Sequence, residues 1–314
     1  AGRCLNDLVV KGKITSINLV KMLMRFRAGK FGVTCDLQQF YNSCKLLADQ
    51  WNLQRFLYKE DMDPANPVLE GVIMTLIYGI KSVSCQSEHA LKLLADLIRD
   101  KYPAVAALLE EGRYVDDEGE SKATMEECLR LIAEAEETFA LVNLRVKEWT
   151  VTGQVPSEKV SKDGASLDIA GLKWFPVLDN METKIHLLHF GSKTRGRLSS
   201  KVKVFDSFGL SHANIYQKID EFTPDFLTRR MAASKRASIF DIVGNIAPVL
   251  IKSSVLLRET IKATVGWDDA MPSDLRSKWL KEFIQWEQLR GIQFSRAIMP
   301  LDAIDIKMRV IVAG

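Results

Sequence analysis

The stretch Gly112-Arg-Tyr-Val-Asp-Asp-Glu-Gly119 decides the predicted fold of this chain. Tyr114 and Val115 are residue types that favour β-strands, and Gly119 lies two residues beyond the aspartate pair, where a hairpin turn could tighten. We therefore expect Asp116 and Asp117 at a β-turn on the edge of a sheet. Two adjacent carboxylates repel each other unless a divalent cation or a proton lies between them. The stretch therefore predicts a metal site.

The composition predicts a globular protein. The chain has 314 residues, 47% hydrophobic and 26% charged, which is enough for a substantial core and for two or more lobes. Its formal net charge of +3 is too small to identify a nucleic-acid binder by itself. No apolar run reaches the roughly 18 residues that a membrane-spanning helix needs. We therefore expect no membrane association.

The cysteines and histidines predict neither a zinc site nor disulfides. The five cysteines and four histidines are scattered, without zinc-type spacing. An odd and scattered set of cysteines indicates reduced thiols in an intracellular protein. The chain also begins without methionine, and its patterns are cut at both ends. We therefore expect a fragment of a longer product.

The first 150 or so residues alternate between predicted strands and helices. Phe31–Cys35 is a run of strand formers that brings Asp36 to the end of a strand. Thr124 and Glu127 form a capping box, which starts a helix running to about Leu141. The other elements predicted here are strands at Arg55–Tyr58, Val72–Tyr78 and Asn143–Trp149 and a helix at Glu88–Arg99. This order predicts a ferredoxin-like split βαβ lobe with helices on one face of its sheet.

The rest of the chain predicts a hairpin and then a mainly helical region. Ile169–Phe175 begins the hairpin, and Lys184–Phe190 is its expected partner strand. The remaining predicted elements are helices at about 246–265 and from Pro272, the latter with Trp279, Phe283 and Trp286 as its buried stripe, and a last strand at Ile306–Val312. Strands and helices together indicate the α+β class.

Two interpretations of the carboxylates follow from the residues alone. In a split βαβ sheet the end of the strand before Asp36 and the turn at Asp116 and Asp117 can be neighbours. Three carboxylates on one edge would hold two Mg²⁺ ions, which polarise an attacking hydroxyl and stabilise a leaving pyrophosphate in nucleotidyl transfer. In the alternative, Asp117 caps a turn and Asp36 caps a helix. The residues alone leave both open.

A resemblance to a known family favours the metal site. Tyr114-Val115-Asp116-Asp117 resembles the YxDD box of reverse transcriptases, and Asp36 with Phe40 and Tyr41 resembles the earlier box that supplies a third metal-binding aspartate. Further blocks resemble, in order, those of Pao/BEL-type retrotransposon polyproteins: Leu23-Met-Arg-Phe-Arg27, Leu76-Ile-Tyr-Gly-Ile-Lys81, Gly171-Leu-Lys-Trp174, Ser238-Ile-Phe-Asp-Ile-Val-Gly-Asn-Ile-Ala-Pro248 and Trp267-Asp-Asp-Ala-Met-Pro272. The resemblance covers nearly the whole chain.

The resemblance implies roles for individual residues. Asp36, Asp116 and Asp117 would be catalytic and would coordinate two Mg²⁺ ions, with Mn²⁺ as a substitute. Tyr41 would stack under the sugar and exclude a 2′-hydroxyl, and Gly79 and Tyr114 would also bind substrate. The residues implied in nucleic-acid binding form the hairpin that grips the primer end: Gly171, Leu172, Lys173 and Trp174.

The same resemblance implies a right-hand polymerase architecture. Residues 1–205 would be the palm with a remnant of the fingers, 206–295 a helical thumb and connection, and 296–314 the start of a truncated ribonuclease H domain. The chain would then be an RNA-directed DNA polymerase core that adds deoxynucleotides to a primer 3′-hydroxyl. The alternative is a catalytically inactive remnant, or a domesticated nucleic-acid-binding fragment, of the same polyprotein.

Partners and location follow from the polymerase interpretation. The expected partners are an RNA or DNA template-primer, deoxynucleoside triphosphates, and the fingers, ribonuclease H and integrase parts of the polyprotein. The expected location is the cytoplasm, in a virus-like particle, with a nuclear phase.

Two departures from the family pattern are Glu118-Gly119-Glu120, in place of a more apolar return strand, and Ile242, in place of proline. No Asp-Thr/Ser-Gly is present, so proteolysis is not predicted.

Overall fold

A computed structural model describes most of the chain. It covers residues 2–13, 18–61, 63–115, 117–186, 188–190, 193–194, 197–198, 203–206, 210, 212–264 and 266–298. For residues 117, 193, 194, 197, 198, 212 and 213 it describes the backbone only. Within these ranges, no helix is both long enough and apolar enough to cross a membrane.

The described residues form a mixed α+β structure, as the sequence predicts. The helices are α1 (Leu5–Leu8), α2 (Leu19–Ala28), α3 (Phe40–Ser43), α4 (Val83–Ile98), α5 (Pro103–Glu111), α6 (Met125–Leu141), α7 (His212–Phe222), α8 (Arg229–Ala237), α9 (Ala247–Ala263) and α10 (Ser273–Leu289), with a 3₁₀ helix at Ala48–Gln54. The strands are β1 (Phe31–Gln38), β2 (Arg55–Tyr58), β3 (Leu69–Val72), β4 (Arg113–Tyr114), β5 (Asp117–Lys122), β6 (Arg145–Val151), β7 (Leu167–Ile169), β8 (Leu172–Phe175), β9 (Asn180–Thr183), β10 (Lys193–Thr194), β11 (Arg197–Leu198) and β12 (Gln293–Ser295).

The chain divides into two compact units. Unit 1 comprises residues 1–170, 174–180 and 295–314, and unit 2 comprises residues 171–173 and 181–294. These units divide the chain near residue 180 rather than residue 205. The assignment of parts of the chain to palm, thumb and ribonuclease H stays a prediction.

The main sheet of unit 1 has the strand order β4-β5-β1-β6. Strand β1 lies in the middle and pairs antiparallel with both β5 and β6. Val33, Cys35 and Leu37 alternate with more exposed residues along β1 and are buried in the core. That core also contains apolar side chains of α4, α5 and α6, among them Leu94, Leu108 and Leu131. Period-two burial is what a strand with one covered face requires.

Strand β1 continues further than predicted. Asp36 lies inside the strand rather than at its end, because Leu37 extends the alternation of apolar residues and β1 runs to Gln38. The residue at the N-cap of the next helix, α3, is Gln39, whose side chain makes no capping hydrogen bond. The alternative role of Asp36 as a helix cap is therefore wrong.

The capping box of α6 is confirmed. Thr124 Oγ1 accepts a hydrogen bond from the Glu127 amide, and the Glu127 carboxylate accepts one from the Thr124 amide, each at 3.2 Å. The helix ends at Leu141, as predicted. Helix α4 begins earlier than predicted, at Val83. Helix α5 was not predicted, although Pro103 stands in its first turn, where the missing amide hydrogen costs nothing.

The strand predicted at Val72–Tyr78 is wrong for most of its length. Strand β3 ends at Val72, and beyond it the described residues form an isolated bridge of Thr75 with Lys45 and a hydrogen bond from the Ile73 amide to the Gln54 carbonyl. Strand β3 instead pairs with β2 over Leu69–Val72, so the hairpin forms closer to the intervening loop. The apolar run from 72 to 78 therefore has strand-like composition without a partner strand along most of its length.

A second four-stranded sheet has the order β12-β9-β8-β7. The strand predicted at Ile169–Phe175 is interrupted by a turn at Ala170 and Gly171, both with positive φ, so β8 begins only at Leu172. The strand after it, β9, spans Asn180–Thr183 rather than the predicted Lys184–Phe190.

Unit 2 is mainly helical, as predicted for this part of the chain. Helix α9 lies within the predicted range 246–265, and α10 begins at Ser273. Trp279, Phe283 and Trp286 are buried and pack ring against ring at 5.3–6.2 Å between centroids, so the predicted stripe is confirmed. The strand predicted at Ile306–Val312 lies outside the described residues.

Candidate functional site

The antiparallel pair β1–β5 brings two of the three predicted metal ligands together. Asp36 is the direct register partner of Asp117. Directly opposed residues of an antiparallel pair share one face of the sheet, with Cβ atoms about 4.5–5.5 Å apart. Positions 36 and 117 are therefore neighbours although 80 residues separate Asp36 from the turn at Asp116 in the sequence. Asp116 itself lies outside the described residues.

The turn before Asp117 is tighter than predicted. Tyr114 on β4 pairs with Asp117 on β5, so only positions 115 and 116 connect the two strands. Two-residue hairpin connections require positive φ at the first connecting residue. Val115 has a φ of 61°, which is uncommon for a β-branched residue and indicates local backbone strain. Gly119 does not tighten the turn, since it lies in β5 opposite Thr34.

The Asp36 carboxylate has a cationic partner. Its Oδ2 atom lies 3.2 Å from Lys147 Nζ, and both side chains are about 40% exposed. The register of β1 with β6 shifts between Asp36, opposite Glu148, and Leu37, opposite Val146. Lys147 is the extra residue of this β-bulge, and bulges re-aim side chains next to functional sites. No sequence pattern near Lys147 predicts this contact.

Carboxylates at this edge of the sheet suit a hard divalent cation. Mg²⁺ prefers oxygen ligands and is commonly bound through one or two carboxylates. Asp36 presents a partly exposed carboxylate, and the register puts Asp117 opposite it. In the described part of the chain, no group of three or more His, Cys, Asp or Glu side chains forms a metal cluster. Of the three predicted ligands, Asp36 is the one whose carboxylate is described, and a partly exposed carboxylate is a ligand that Mg²⁺ accepts, so the metal site stays a prediction.

A buried carboxyl group lies directly behind the turn. Glu118 follows Asp117 in β5 and is fully buried, and Cys35 Sγ donates to its Oε2 at 3.4 Å. Burial raises the pKa of Glu118 to about 7, against the opposing effects of Arg113 and the Cys35 hydrogen bond. Burial also raises the pKa of Cys35 well above its usual value, so the thiol stays protonated and can donate. Position 118 of β5 is therefore buried yet polar, and its carboxyl group interacts with Cys35 and Arg113.

The predicted sugar-contacting residue Tyr41 lies in α3 beside a second aromatic residue. Its ring centroid is 4.7 Å from that of Tyr78, which is largely exposed. Gly79, the next residue, has a φ of 97°, and a side chain there would meet nothing within 4 Å. The open backbone at Gly79 therefore stays compatible with a close approach of substrate. The sequence patterns assign no role to Tyr78. Its position directly before Gly79 is the signal in the sequence that draws attention to it.

The predicted primer-gripping hairpin presents few side chains. Leu172 and Trp174 are fully buried. Trp174 Nε1 donates to Asp179 Oδ1 at 3.0 Å, and its ring packs edge-on against Phe26 at 5.0 Å. Phe240 packs against Gly171, where a Cβ would lie 2.6 Å from its ring, so Lys173 is the side chain of this segment left to meet nucleic acid.

Comparisons with known proteins add a domain match and a fold likeness. The family model of the Pao retrotransposon-like RNaseH-like domain matches residues 228–312. That match begins before residue 296, where the sequence analysis started the ribonuclease H domain, and it includes α8, α9 and α10. A comparison with curated proteins gives no match.

Among solved structures, two foamy viral protease-reverse transcriptase complexes are similar to the chain. The complex of the dRH form with double-stranded DNA gives a TM-score of 0.53 at 14% identity, covering 90% of this chain and 40% of that one. A second complex with double-stranded DNA gives 0.51 at 14% identity, covering 92% of this chain and 48% of that one. The fold resembles that of a retroviral reverse transcriptase. The chain spans less than half the length of each of these relatives.

Proposed function

We propose that the chain carries the polymerase site of a retrotransposon reverse transcriptase of the Pao/BEL type. The observation that carries the proposal is the register of β1 and β5, which puts Asp36 opposite Asp117 beside a two-residue turn. The reaction is RNA-directed addition of deoxynucleotides to a primer 3′-hydroxyl. Its substrates are a template-primer and deoxynucleoside triphosphates, and the remaining parts of the polyprotein are its expected partners.

The residues of the proposed site have separate tasks. Asp36, Asp116 and Asp117 would hold two Mg²⁺ ions, which when bound activate the primer hydroxyl and neutralise the charge that develops on the pyrophosphate. Tyr41 would support the sugar of the incoming nucleotide, with Tyr78 packed against its ring. Gly79 would let the nucleotide approach the backbone. Catalysis would then come mainly from positioning and electrostatics.

Primer extension tests the proposal. The full chain is given an RNA template, a labelled DNA primer, deoxynucleotides and Mg²⁺, and compared with Asp36→Asn and Asp117→Asn. We expect extension by the unmodified chain and a loss of about 100-fold or more in each variant, because removing a ligand removes transition-state charge stabilisation. Asp100→Asn is the matched control, since Asp100 is exposed in the turn after α4. Absence of Mg²⁺-dependent extension by the unmodified chain, or equal extension by Asp117→Asn, would overturn the proposal.

A second candidate function is favoured by the domain match. Residues 228–312 match an RNaseH-like model, and the Asp36 carboxylate is already neutralised by Lys147. A nucleic-acid-binding remnant without polymerase activity would agree with both observations. It predicts binding of an RNA/DNA hybrid, measured by fluorescence anisotropy, that is insensitive to Mg²⁺ and to Asp36→Asn. A ribonuclease H assay on the same hybrid reports whether the RNA strand is cut.

A further inference from the structure

One buried guanidinium connects three elements around the turn before Asp117. Arg113 and Glu88 are 3% and 7% exposed, and they form a two-pronged ion pair with Nη1–Oε1 and Nη2–Oε2 distances of 3.1 and 2.7 Å. Arg113 Nε also donates to the Leu109 carbonyl of α5 at 3.3 Å. Its Nη1 donates to the Val115 carbonyl at 3.2 Å. The ion pair therefore ties α4 and the end of α5 to the turn.

Stability alone does not account for this arrangement. Taking two charges out of water costs several kcal/mol per ion, and apolar residues of similar size often serve a core as well. The guanidinium supplies something that an apolar side chain cannot, namely a directional donor to one chosen carbonyl. That carbonyl belongs to Val115, whose φ of 61° persists only if its surroundings hold it there.

The held carbonyl is part of a rigid unit. A peptide group is planar, so a hydrogen bond to the Val115 oxygen orients the whole unit that joins Val115 to residue 116. Strand β5, which begins at Asp117, follows this unit directly. Arg113 is also the register partner of Glu118 on β5, which places a second buried carboxyl group near it. Glu118 Oε1 has no hydrogen-bond partner in the described part of the chain, so Glu88 is the carboxylate that Arg113 binds.

We infer that Glu88 and Arg113 are positioning residues of the proposed polymerase site, because the ion pair orients the Val115 peptide group, through which the backbone enters β5 at Asp117. This inference rests on the proposed function. Neither residue touches substrate or metal. Glu88 acts by holding Arg113, and Arg113 acts by holding the Val115 carbonyl.

A set of variants separates positioning from a purely structural role. Glu88→Gln keeps the shape of the side chain and removes its charge. The double variant Glu88→Arg with Arg113→Glu restores an ion pair but leaves position 113 without a donor for the Val115 carbonyl. The matched control is Glu110→Gln, which breaks another two-pronged pair, between Glu110 of α5 and Arg99 in the turn after α4, at 2.6 and 2.8 Å. In the described structure that pair makes no hydrogen bond to the turn.

Two measurements are made on each variant: primer extension under saturating and limiting deoxynucleotide, and hydrogen exchange of the amides at 115–118. We expect Glu88→Gln to lower kcat about tenfold or more, because small misplacements of catalytic groups cost that much, while KM for deoxynucleotide changes less than about threefold. The same variant should speed exchange at 115–118. The double variant should regain thermal stability without regaining kcat. Glu110→Gln should match the unmodified chain.

The outcomes distinguish this inference from the proposed function. Recovery of both stability and kcat in the double variant, or unchanged kcat and unchanged exchange in Glu88→Gln, would overturn the positioning role while leaving the polymerase proposal standing. If the unmodified chain does not extend primers, the polymerase proposal fails, and positioning of catalytic groups fails with it. If Glu88→Gln does not fold, Arg113→Lys is measured in its place, since it keeps the charge but loses the planar fork.

Discussion

Asp36 and Asp117 lie directly opposite each other in the antiparallel register of β1 and β5. The two residues come from segments far apart in the sequence, and neither their spacing nor their local composition requires them to meet. Their meeting depends on the pairing of a central strand with the second strand of a hairpin. In this arrangement Lys147 Nζ lies 3.2 Å from the Asp36 carboxylate, where it would compete with a metal ion bound at the proposed site.

Lys147→Met is expected to strengthen divalent-cation binding. The ammonium group must give up its contact with Asp36 when a metal binds that carboxylate. An exposed ion pair is worth up to about 1 kcal/mol, so the Kd for Mn²⁺ should fall about twofold to fivefold. Mn²⁺ binding followed by electron paramagnetic resonance measures the effect. Lys101→Met is the control, because Lys101 makes an ion pair of the same length, 3.2 Å, with Glu137. Equal effects of the two substitutions would show that the Asp36 carboxylate is not involved.

Arg296→Met is expected to destabilise unit 1 by about 3–5 kcal/mol, since it leaves buried partners uncompensated. Arg296 is fully buried and binds Asp179 through Nε at 2.7 Å and Nη2 at 2.9 Å. It also donates to the carbonyls of Phe26, Gly29 and Lys30. Urea unfolding of the chain measures the change.

The control for Arg296→Met is an ion pair of nearly the same geometry that lies at the protein surface. Arg230 binds Asp268 through Nε at 2.7 Å and Nη2 at 2.9 Å, but both side chains are more than 60% exposed. Arg230→Met should cost less than about 1 kcal/mol, because exposed ion pairs contribute little. Similar losses for the two variants would contradict the role given to burial.

Gly29→Ala is expected to cost about 1–3 kcal/mol, as overpacked sites do. A Cβ at Gly29 would lie 2.8 Å from the backbone nitrogen and oxygen of Lys122 in β5, and a backbone cannot rotate away as a side chain can. Gly164→Ala is the comparison, because a Cβ there meets nothing within 4 Å and only its φ of 64° is unfavourable. We expect a cost of about 1 kcal/mol at Gly164, the lower end of what a left-handed backbone costs a residue with a Cβ. Thermal unfolding of both variants tests whether Gly29→Ala is the more destabilising of the two. A smaller loss for Gly29→Ala than for Gly164→Ala would contradict the prediction and would indicate that β5 shifts to make room.

Glu282→Gln is expected to change how stability depends on pH. Burial raises the pKa of Glu282, with a smaller opposing effect of Lys252, and its Oε2 has no hydrogen-bond partner among the described residues. The folded state therefore binds more protons than the unfolded state as the pH rises above about 4.5, and stability falls with pH in that window. The Gln variant lacks this loss. The melting temperature of Glu282→Gln minus that of the unmodified chain should therefore increase from pH 4 to pH 7.

The control for this pH dependence is Glu259→Gln. Glu259 is half exposed and pairs with Lys278 at 2.9 Å. An exposed pair of this kind should shift the melting temperature little and in nearly the same way across the pH range. A difference curve for Glu282→Gln that is flat between pH 4 and pH 7 would contradict the prediction.

Local patterns in the sequence predict local structure well in this chain. The capping box at Thr124 and the buried stripe of α10 each depend on residues within one or two turns of one another. The sequence also predicts strand β1, although the strand runs to Gln38 and the prediction ends it at Asp36. The apolar residue Leu37 continues the alternation beyond Asp36, and that signal was available.

The contacts around the candidate site could not be predicted in the same way. Lys147 reaches Asp36 only because β6 contains a bulge, and a register shift leaves no mark on composition. Glu88 and Arg113 are 25 residues apart and meet through the packing of α4 on α5. Trp174 looked like a contact for nucleic acid, yet it is buried against Phe26, which only the tertiary structure reveals.

The buried partners of Arg296 are synthesised long before Arg296 itself. Arg296 follows Asp179 by 117 residues and Phe26 by 270 residues. At about 5–20 residues per second, a ribosome adds Arg296 roughly 6–23 s after Asp179. During that interval the carbonyls at the end of α2 and just beyond it, and the Asp179 carboxylate, exist without the guanidinium that joins them. Unit 1, whose first strand carries Asp36, is therefore completed by one of the last described residues to be made, and a premature stop before residue 296 would damage the opposite end of the chain.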